Sequence, residues 1–244
     1  MRVALIPLKT VPRDIEANIR QLATVLPKVI NARVDLVCLP ECTFTGYLYE
    51  IQDFEHFAEP ILGSRTFQAV RNIARTCQVY LCFGMLEQTR AGVYNSAILM
   101  DRAGEVVHIH RKVNEQPPFI NGSKARGVDT DIGRLGILIC GDLFSDEAIA
   151  QFSKSLDLLI VPMARSFANK SPDRSRWEQE ERQIYLDAVK KVGMTTVIVN
   201  SLEIGEEEPS FGGALVVSSE GEILAESPHG SDKILIHQIV GDQS

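Results

Sequence analysis

Apolar residues along this chain fall into two alternating kinds of run. Short, nearly unbroken apolar stretches at residues 3–7, 34–39, 79–83, 134–140, 158–161 and 195–200 have the length of buried strands. Between them lie stretches with helical spacing. From Asp14 to Ile30 the positions Ile15, Ile19, Leu22, Val25, Leu26, Val29 and Ile30 form one stripe, and Asp14 stands where an N-cap belongs. Residues 67–77 and 147–155 predict further helices. Residues 176–192 predict a long amphipathic helix with Trp177, Ile184, Tyr185, Ala188 and Val192 on or near one face. Residues 94–100 and 105–110 flank a turn carrying Gly104 and predict a hairpin. Residues 214–240 predict a closing β region, with the turn Ser218-Ser219-Glu220-Gly221 between its first two strands. No linker, low-complexity stretch or fixed-period repeat interrupts the alternation. It predicts an α/β layered protein with mixed strand pairing, as one domain over residues 1–244.

Composition narrows the functional classes. With 45% hydrophobic and 23% charged residues, 244 residues can bury a sizeable core without disulfides. A formal net charge of −7 and a pI near 5.3 repel phosphate backbones, so no nucleic-acid partner is expected. The five cysteines, Cys38, Cys42, Cys77, Cys82 and Cys140, are odd in number and form no C-x-x-C pair. That fits neither a secreted disulfide framework nor a zinc ribbon. The opening apolar run is short and soon followed by charges, which fits a buried strand better than a leader peptide. No run approaches the ~20 apolar residues a membrane helix needs. The expected setting is reducing and cytoplasmic, with no membrane partner. No phosphate loop, G-x-G-x-x-G fingerprint or G-x-S-x-G elbow is present.

Polar or reactive groups stand where buried strands end, held by a rigid element but open to a cleft. Glu41 follows the run 34–39 and Pro40. It could be a partly desolvated general base, or a salt-bridged or capping carboxylate. Lys112 closes the strand beginning near Glu105 and offers either fixed positive charge or an ordinary solvated ammonium. His108 and His110 share a strand face and could bind metal, but no third ligand has persuasive spacing, so no metal is expected. Cys140 ends an apolar run and could be an inert core thiol. Gly141 after it permits close approach of a ligand, and the amides beyond the strand end could hold an oxyanion. Asp142 and Glu147 supply ordering groups that a pure core strand would not need. Pairing of Cys140 with His56, His229 or His237 stays open at this level. Arg165, Ser166 and Asn169 follow another strand end, where Arg165 could bind a substrate carboxylate or simply belong to a surface loop.

Taken in order, Leu39-Pro40-Glu41, His110-Arg111-Lys112 and Gly136-Ile137-Leu138-Ile139-Cys140-Gly141-Asp142 resemble the three motifs of the nitrilase superfamily of carbon–nitrogen hydrolases. Thr45-Gly46-Tyr47, Trp177, Asn200 and Gly212-Gly213 extend the similarity over most of the chain. The resemblance implies a four-layer α-β-β-α sandwich and subunits paired through helices into a homodimer or larger homo-oligomer. It implies hydrolysis of a small-molecule amide through a thioester on Cys140, with Glu41 as general base and Lys112 stabilising the oxyanion. Glu115 is the candidate for a second active-site glutamate. Tyr47, Gly141 and Arg165 are the candidates for substrate contact. No organic cofactor is implied. The motifs do not separate simple amides from N-carbamoyl groups or glutamine, and a catalytically silent binding protein on the same scaffold is the alternative from another class. Two departures stand out: the connection from Lys112 to Gly122 is short, and Gly141 occupies a position that is often aromatic in the family.

Overall fold

The computed structural model describes residues 1–48, 50–152, 155–167, 173–203 and 209–240. Its first half runs β1 (Arg2–Leu5), β2 (Lys9–Thr10), α1 (Ile15–Ile30), β3 (Leu36–Cys38), α2 (Ile51–Phe57), α3 (Arg65–Cys77), β4 (Tyr80–Thr89), β5 (Gly92–Met100) and β6 (Val106–Arg111). The second half runs β7 (Gly127–Thr130), β8 (Gly133–Ile137), α4 (Asp146–Ala150), β9 (Leu158–Met163), α5 (Arg174–Arg176), α6 (Arg182–Val192), β10 (Thr196–Asn200), β11 (Leu202–Glu203), β12 (Ala214–Val217), β13 (Ile223–Ser227) and β14 (Leu235–Gln238).

Strand alternation sorts these residues into layers. One six-stranded sheet has the order β14-β1-β3-β4-β5-β6 and the other β13-β12-β10-β9-β8-β7. Each has a parallel core, β1-β3-β4 or β8-β9-β10, with antiparallel strands outside it. Val3, Leu5, Leu36 and Leu99 of the first sheet meet Leu135, Ile137, Ile160 and Val199 of the second in the middle core. The intervening positions Ala4, Val37, Leu81 and Phe83 turn outward under Leu22 and Leu26 of α1 and Phe67 and Val70 of α3. On the far side Leu159, Val161, Ile198 and Leu215 pack beneath Tyr185, Leu186 and Val189 of α6. The result is the expected four-layer α-β-β-α sandwich, with strands apolar on both faces because both are covered.

Local signals act where the sequence places them. The Asp14 side chain accepts from Ala17 N at 2.9 Å and caps α1. The hairpin of β5 and β6 turns at Gly104, whose φ is +75°. Two expectations shift. The long helix is interrupted by a π-helical turn over Trp177–Glu181 between α5 and α6. The extra residue in that turn rotates the stripe, so Ile184 is 53% exposed while Tyr185, Val189 and Val192 face the sheet. The closing β region is also divided: β12 and β13 stay in the second sheet, but β14 crosses to pair antiparallel with β1 in the first.

Gly84 of β4 sets where Glu41 can sit. The turn after β3 lies directly on it, with Gly84 N donating to Pro40 O at 3.0 Å. A Cβ at this position would fall 2.4 Å from Cys42 N and 2.7 Å from Glu41 Cα, so only glycine lets the Glu41 turn approach β4 this closely.

Candidate active site

The polar groups singled out at strand ends converge at one edge of the sandwich. Leu39 N donates to Cys82 O at 2.8 Å, and the chain then turns across Gly84. Cys42, directly after Glu41, has φ +46°, a left-handed conformation that side chains other than glycine adopt at a cost. The turn points the Glu41 carboxylate inward, where the residue is only 1% exposed. Three donors meet it: Asn95 Nδ2 at 2.7 Å and Lys112 Nζ at 2.9 Å on Oε1, and Ala164 N at 2.9 Å on Oε2.

Lys112 follows β6 directly and is buried with its ammonium between two carboxylates, 2.9 Å from Glu41 Oε1 and 2.7 Å from Glu115 Oε2. Burial works against its charge, but the neighbouring carboxylates and the Cys140 sulfur outweigh that and hold its pKa well above the ordinary lysine value. Burial likewise works against an ionised Glu115, and the Lys112 ammonium beside it overcomes this and holds its pKa below the usual carboxylate value. Glu115 Oε1 accepts from Tyr47 Oη at 3.1 Å and from Gln116 N at 3.0 Å. The short connection from Lys112 to Gly122 is closed on itself: Gly122 N donates to Lys112 O at 2.7 Å, and Glu115 N to Asn121 Oδ1 at 2.9 Å. Being short, it pins Glu115 over Lys112.

Cys140 departs from the simple expectation of a strand end. β8 stops at Ile137, and Cys140 opens a 3₁₀ turn (Cys140–Phe144) with φ +45°. A left-handed, non-glycine residue at the tip of a buried strand stores strain of the kind that clusters at reactive sites. The thiol lies beside the Glu41 carboxylate and the Ala164 N–H, both of which act on it electrostatically. Burial, and then the Glu41 charge, push its pKa up to about 12. The resting group is therefore a thiol beside a carboxylate, and its proton must leave as the sulfur attacks. The charged groups that act most strongly on this sulfur are Glu41 and Lys112, and Arg165 also interacts with it. His229 stacks instead on Trp177, with ring centroids 5.7 Å apart.

Asp142 locks the geometry between the Lys112 and Cys140 segments. It is fully buried; its Oδ1 accepts from Val113 N at 3.1 Å and Asn114 N at 3.0 Å, and its Oδ2 from Ile139 N at 3.2 Å. His110 Nε2 lies 2.8 Å from the same Oδ2, while among the described residues its Nδ1 is buried without a partner. The proton therefore belongs on Nε2, pointing at the carboxylate. Among the described residues no group of three or more His, Cys, Asp or Glu side chains is arranged to hold a metal ion.

The remaining candidates are placed as follows. The Tyr47 ring forms a wall, 5.6 Å from Lys112 Nζ. A Cβ on Gly141 would meet no atom within 4 Å, so the space an aromatic side chain would fill is open. Arg165, after β9, is half-exposed, and its guanidinium pairs with Glu181 at 2.7 Å. Arg176 shares the same carboxylate oxygen at 2.9 Å. Ser166 is buried. Asn169 lies outside the described residues. Sequence reasoning missed Asn95 and the Ala164 N–H. A backbone donor leaves no trace in the sequence. Asn95 left one: an amide inside an apolar strand must find partners once buried.

The sequence matches the family model described as carbon-nitrogen hydrolase over residues 2–243. The omega-amidase NIT3 of Saccharomyces cerevisiae is 25% identical to it, over 96% of this chain and 85% of the relative. The deaminated glutathione amidase of Dictyostelium discoideum is 21% identical, over 90% of this chain and 81% of the relative. A carbon-nitrogen hydrolase from Helicobacter pylori G27, known as a crystal structure, shares the fold with a TM-score of 0.82 at 20% identity, over 97% of this chain and 88% of that one. No helix among the described residues is long and apolar enough to cross a membrane.

Proposed function

The chain belongs to the carbon-nitrogen hydrolase family and is an amidohydrolase acting on non-peptide carbon–nitrogen bonds; we propose that residues 1–244 form one domain that cleaves a small carboxamide through a thioester on Cys140. The observation carrying this reading is the cluster of Cys140 thiol, Glu41 carboxylate and Lys112 ammonium at one edge of the sandwich. Glu41 takes the thiol proton as the sulfur bonds to the amide carbon. Lys112 and the Gly141 N–H face the oxygen on which negative charge develops. Glu41 returns the proton to the nitrogen, and ammonia or an amine departs. Glu41 then activates water to cleave the thioester, and the thiol is restored. Glu115 holds Lys112 in place. The first test is ammonia release from the monoamide of succinic acid, with mass detection of an acyl adduct on Cys140. Glu41→Gln is expected to lower kcat by about 10³-fold, within the range for a general base. Near-full kcat in that variant removes Glu41 from this role.

A finer reading concerns the substrate. Two guanidiniums share the one Glu181 carboxylate, so positive charge remains beside Cys140 on the Arg165 side. That supports an acidic amide, in keeping with similarity to an omega-amidase, with Tyr47 and the open space before Gly141 lining its path. Arg165→Ala is expected to erase the preference for succinic acid monoamide over neutral butyramide. An unchanged ratio of kcat/KM rejects the carboxylate role. Phe144 and Ile184 are exposed apolar residues on the α6 side, which supports pairing of subunits there into a homodimer or larger homo-oligomer. The five free cysteines suit a reducing, cytoplasmic setting.

A further inference from the structure

Asn95 belongs to neither a strand end nor a motif, yet it lies at the centre of the charge cluster. It sits within β5, is 1% exposed, and its Nδ2 donates to Glu41 Oε1 at 2.7 Å and to Glu115 Oε2 at 2.9 Å. Those are the two oxygens between which Lys112 Nζ also sits, at 2.9 and 2.7 Å. Two acceptor oxygens and two donor nitrogens thus alternate around a closed ring. The amide can face only one way. Its Oδ1 turned toward the carboxylates would set oxygen against oxygen, so Nδ2 takes that side. On the other side the Cys42 thiol donates to Oδ1 at 3.8 Å.

From this ring we propose that Asn95 is a positioning residue that selects which oxygen of Glu41 acts as the base. A carboxylate oxygen offers about two lone-pair directions. On Oε1 both are occupied, by Asn95 and Lys112. Among the described residues Oε2 accepts only from the Ala164 N–H, which leaves it a lone pair for the thiol proton. Lys112 and the Ala164 N–H each hold one oxygen by a single bond, which leaves Oε1 a free lone pair and lets the carboxylate rock about its last torsion. The planar Asn95 donor removes that freedom. It also lets two carboxylates share the one Lys112 ammonium without a second counterion, and it adds no charge that would quench the base.

The proposal rests on the Glu41–Cys140 reading above, and the test separates the two. In Asn95→Leu, which keeps the branching but loses both donors, kcat for succinic acid monoamide is expected to fall by about 100-fold while KM stays within about threefold, because Asn95 does not touch the substrate. The acid limb of kcat/KM moves to higher pH, since ionised carboxylates have lost donors. Asn95→Asp is equally poor at neutral pH but gains on the wild type as the pH falls, because its protonated carboxyl can donate to one neighbour. Asn95→Leu shows no such recovery. A folded Asn95→Leu with kcat within threefold of wild type overturns the proposal, as does an identical pH profile in both variants. If neither variant folds, the wild type supplies the measurement. The two Asn95 Nδ2 protons are expected downfield in its NMR spectrum, moving upfield in Glu41→Gln; ordinary shifts that ignore Glu41→Gln overturn the proposal. An inactive wild type with the downfield pair present would reject the hydrolytic reading, and with it the choice of base oxygen, while leaving the hydrogen-bonded ring itself in place.

Discussion

Cys140→Ala is expected to reduce ammonia release to background while leaving the fold intact. Removing the nucleophile of a covalent hydrolase typically costs about 10⁶-fold in kcat, because the remaining groups hold the substrate but cannot form the acyl intermediate. The structural cost is small. The left-handed backbone at φ +45° is already borne by a residue with a Cβ, so alanine adds no new strain. Only one partly buried sulfur is lost, and its deletion also removes a thiol that burial holds in its neutral form. The melting temperature should stay within a few degrees of wild type, as expected for a change of about 1 kcal/mol or less. Ammonia release above background from a clean Cys140→Ala preparation would reject the assignment of the nucleophile.

Lys112→Ala should damage both catalysis and stability, and the two losses have separate origins. On the proposed mechanism the developing oxyanion then loses a charged donor, worth about 3–4 kcal/mol or roughly 10²–10³-fold in kcat. The ground state suffers independently. Glu41 and Glu115 would face one another across Asn95 with no positive charge between them, and breaking a buried ion pair from one side costs about 3–5 kcal/mol. The pH dependence carries a definite sign. In the wild type the lowered pKa of Glu115 contributes stability above the ordinary carboxylate value of 4.5, lost as pH falls through the folded-state value. The raised pKa of Lys112 contributes stability fully present below the ordinary 10.5, lost only as pH rises through its folded-state value. Lys112→Ala reverses the acid side: protonating one carboxylate relieves the repulsion, so its stability deficit should shrink as pH falls below neutrality. Denaturant melts of both proteins from pH 4 to 8 read this directly. A deficit that does not vary with pH would mean that the carboxylates are not held by Lys112.

Much of the site was legible because strand ends and short motifs are local. An apolar run that stops at Leu39-Pro40 must deliver Glu41 to the edge of a sheet, and the run through Ile137 must do the same near Cys140. The helix stripe from Ile15 to Ile30 and its Asp14 cap depend on residues within one or two turns of each other. Reading failed where a single extra residue or a distant partner intervened. The π-helical turn at Trp177–Glu181 has no signature in the spacing, and it put Ile184 outside. The crossing of β14 to β1 pairs residues from opposite ends of the chain, such as Arg2 with Gln238.

Residue order alone determined the inventory: which strands are buried on both faces, which residues stand at their ends, and the Glu41, Lys112 and Cys140 motifs. Folding decided the proton logic. The bond from Lys112 to Glu41 spans 71 positions, that from Ala164 to Glu41 spans 123, and Asn95 joins Glu41 across 54. Hydrogen bonds act over about 3 Å, whereas sequence periodicity reports only which face of an element is apolar. Only the packing of two sheets onto one another brings a lysine, an asparagine and a backbone N–H onto the same carboxylate, and sets that carboxylate beside the thiol.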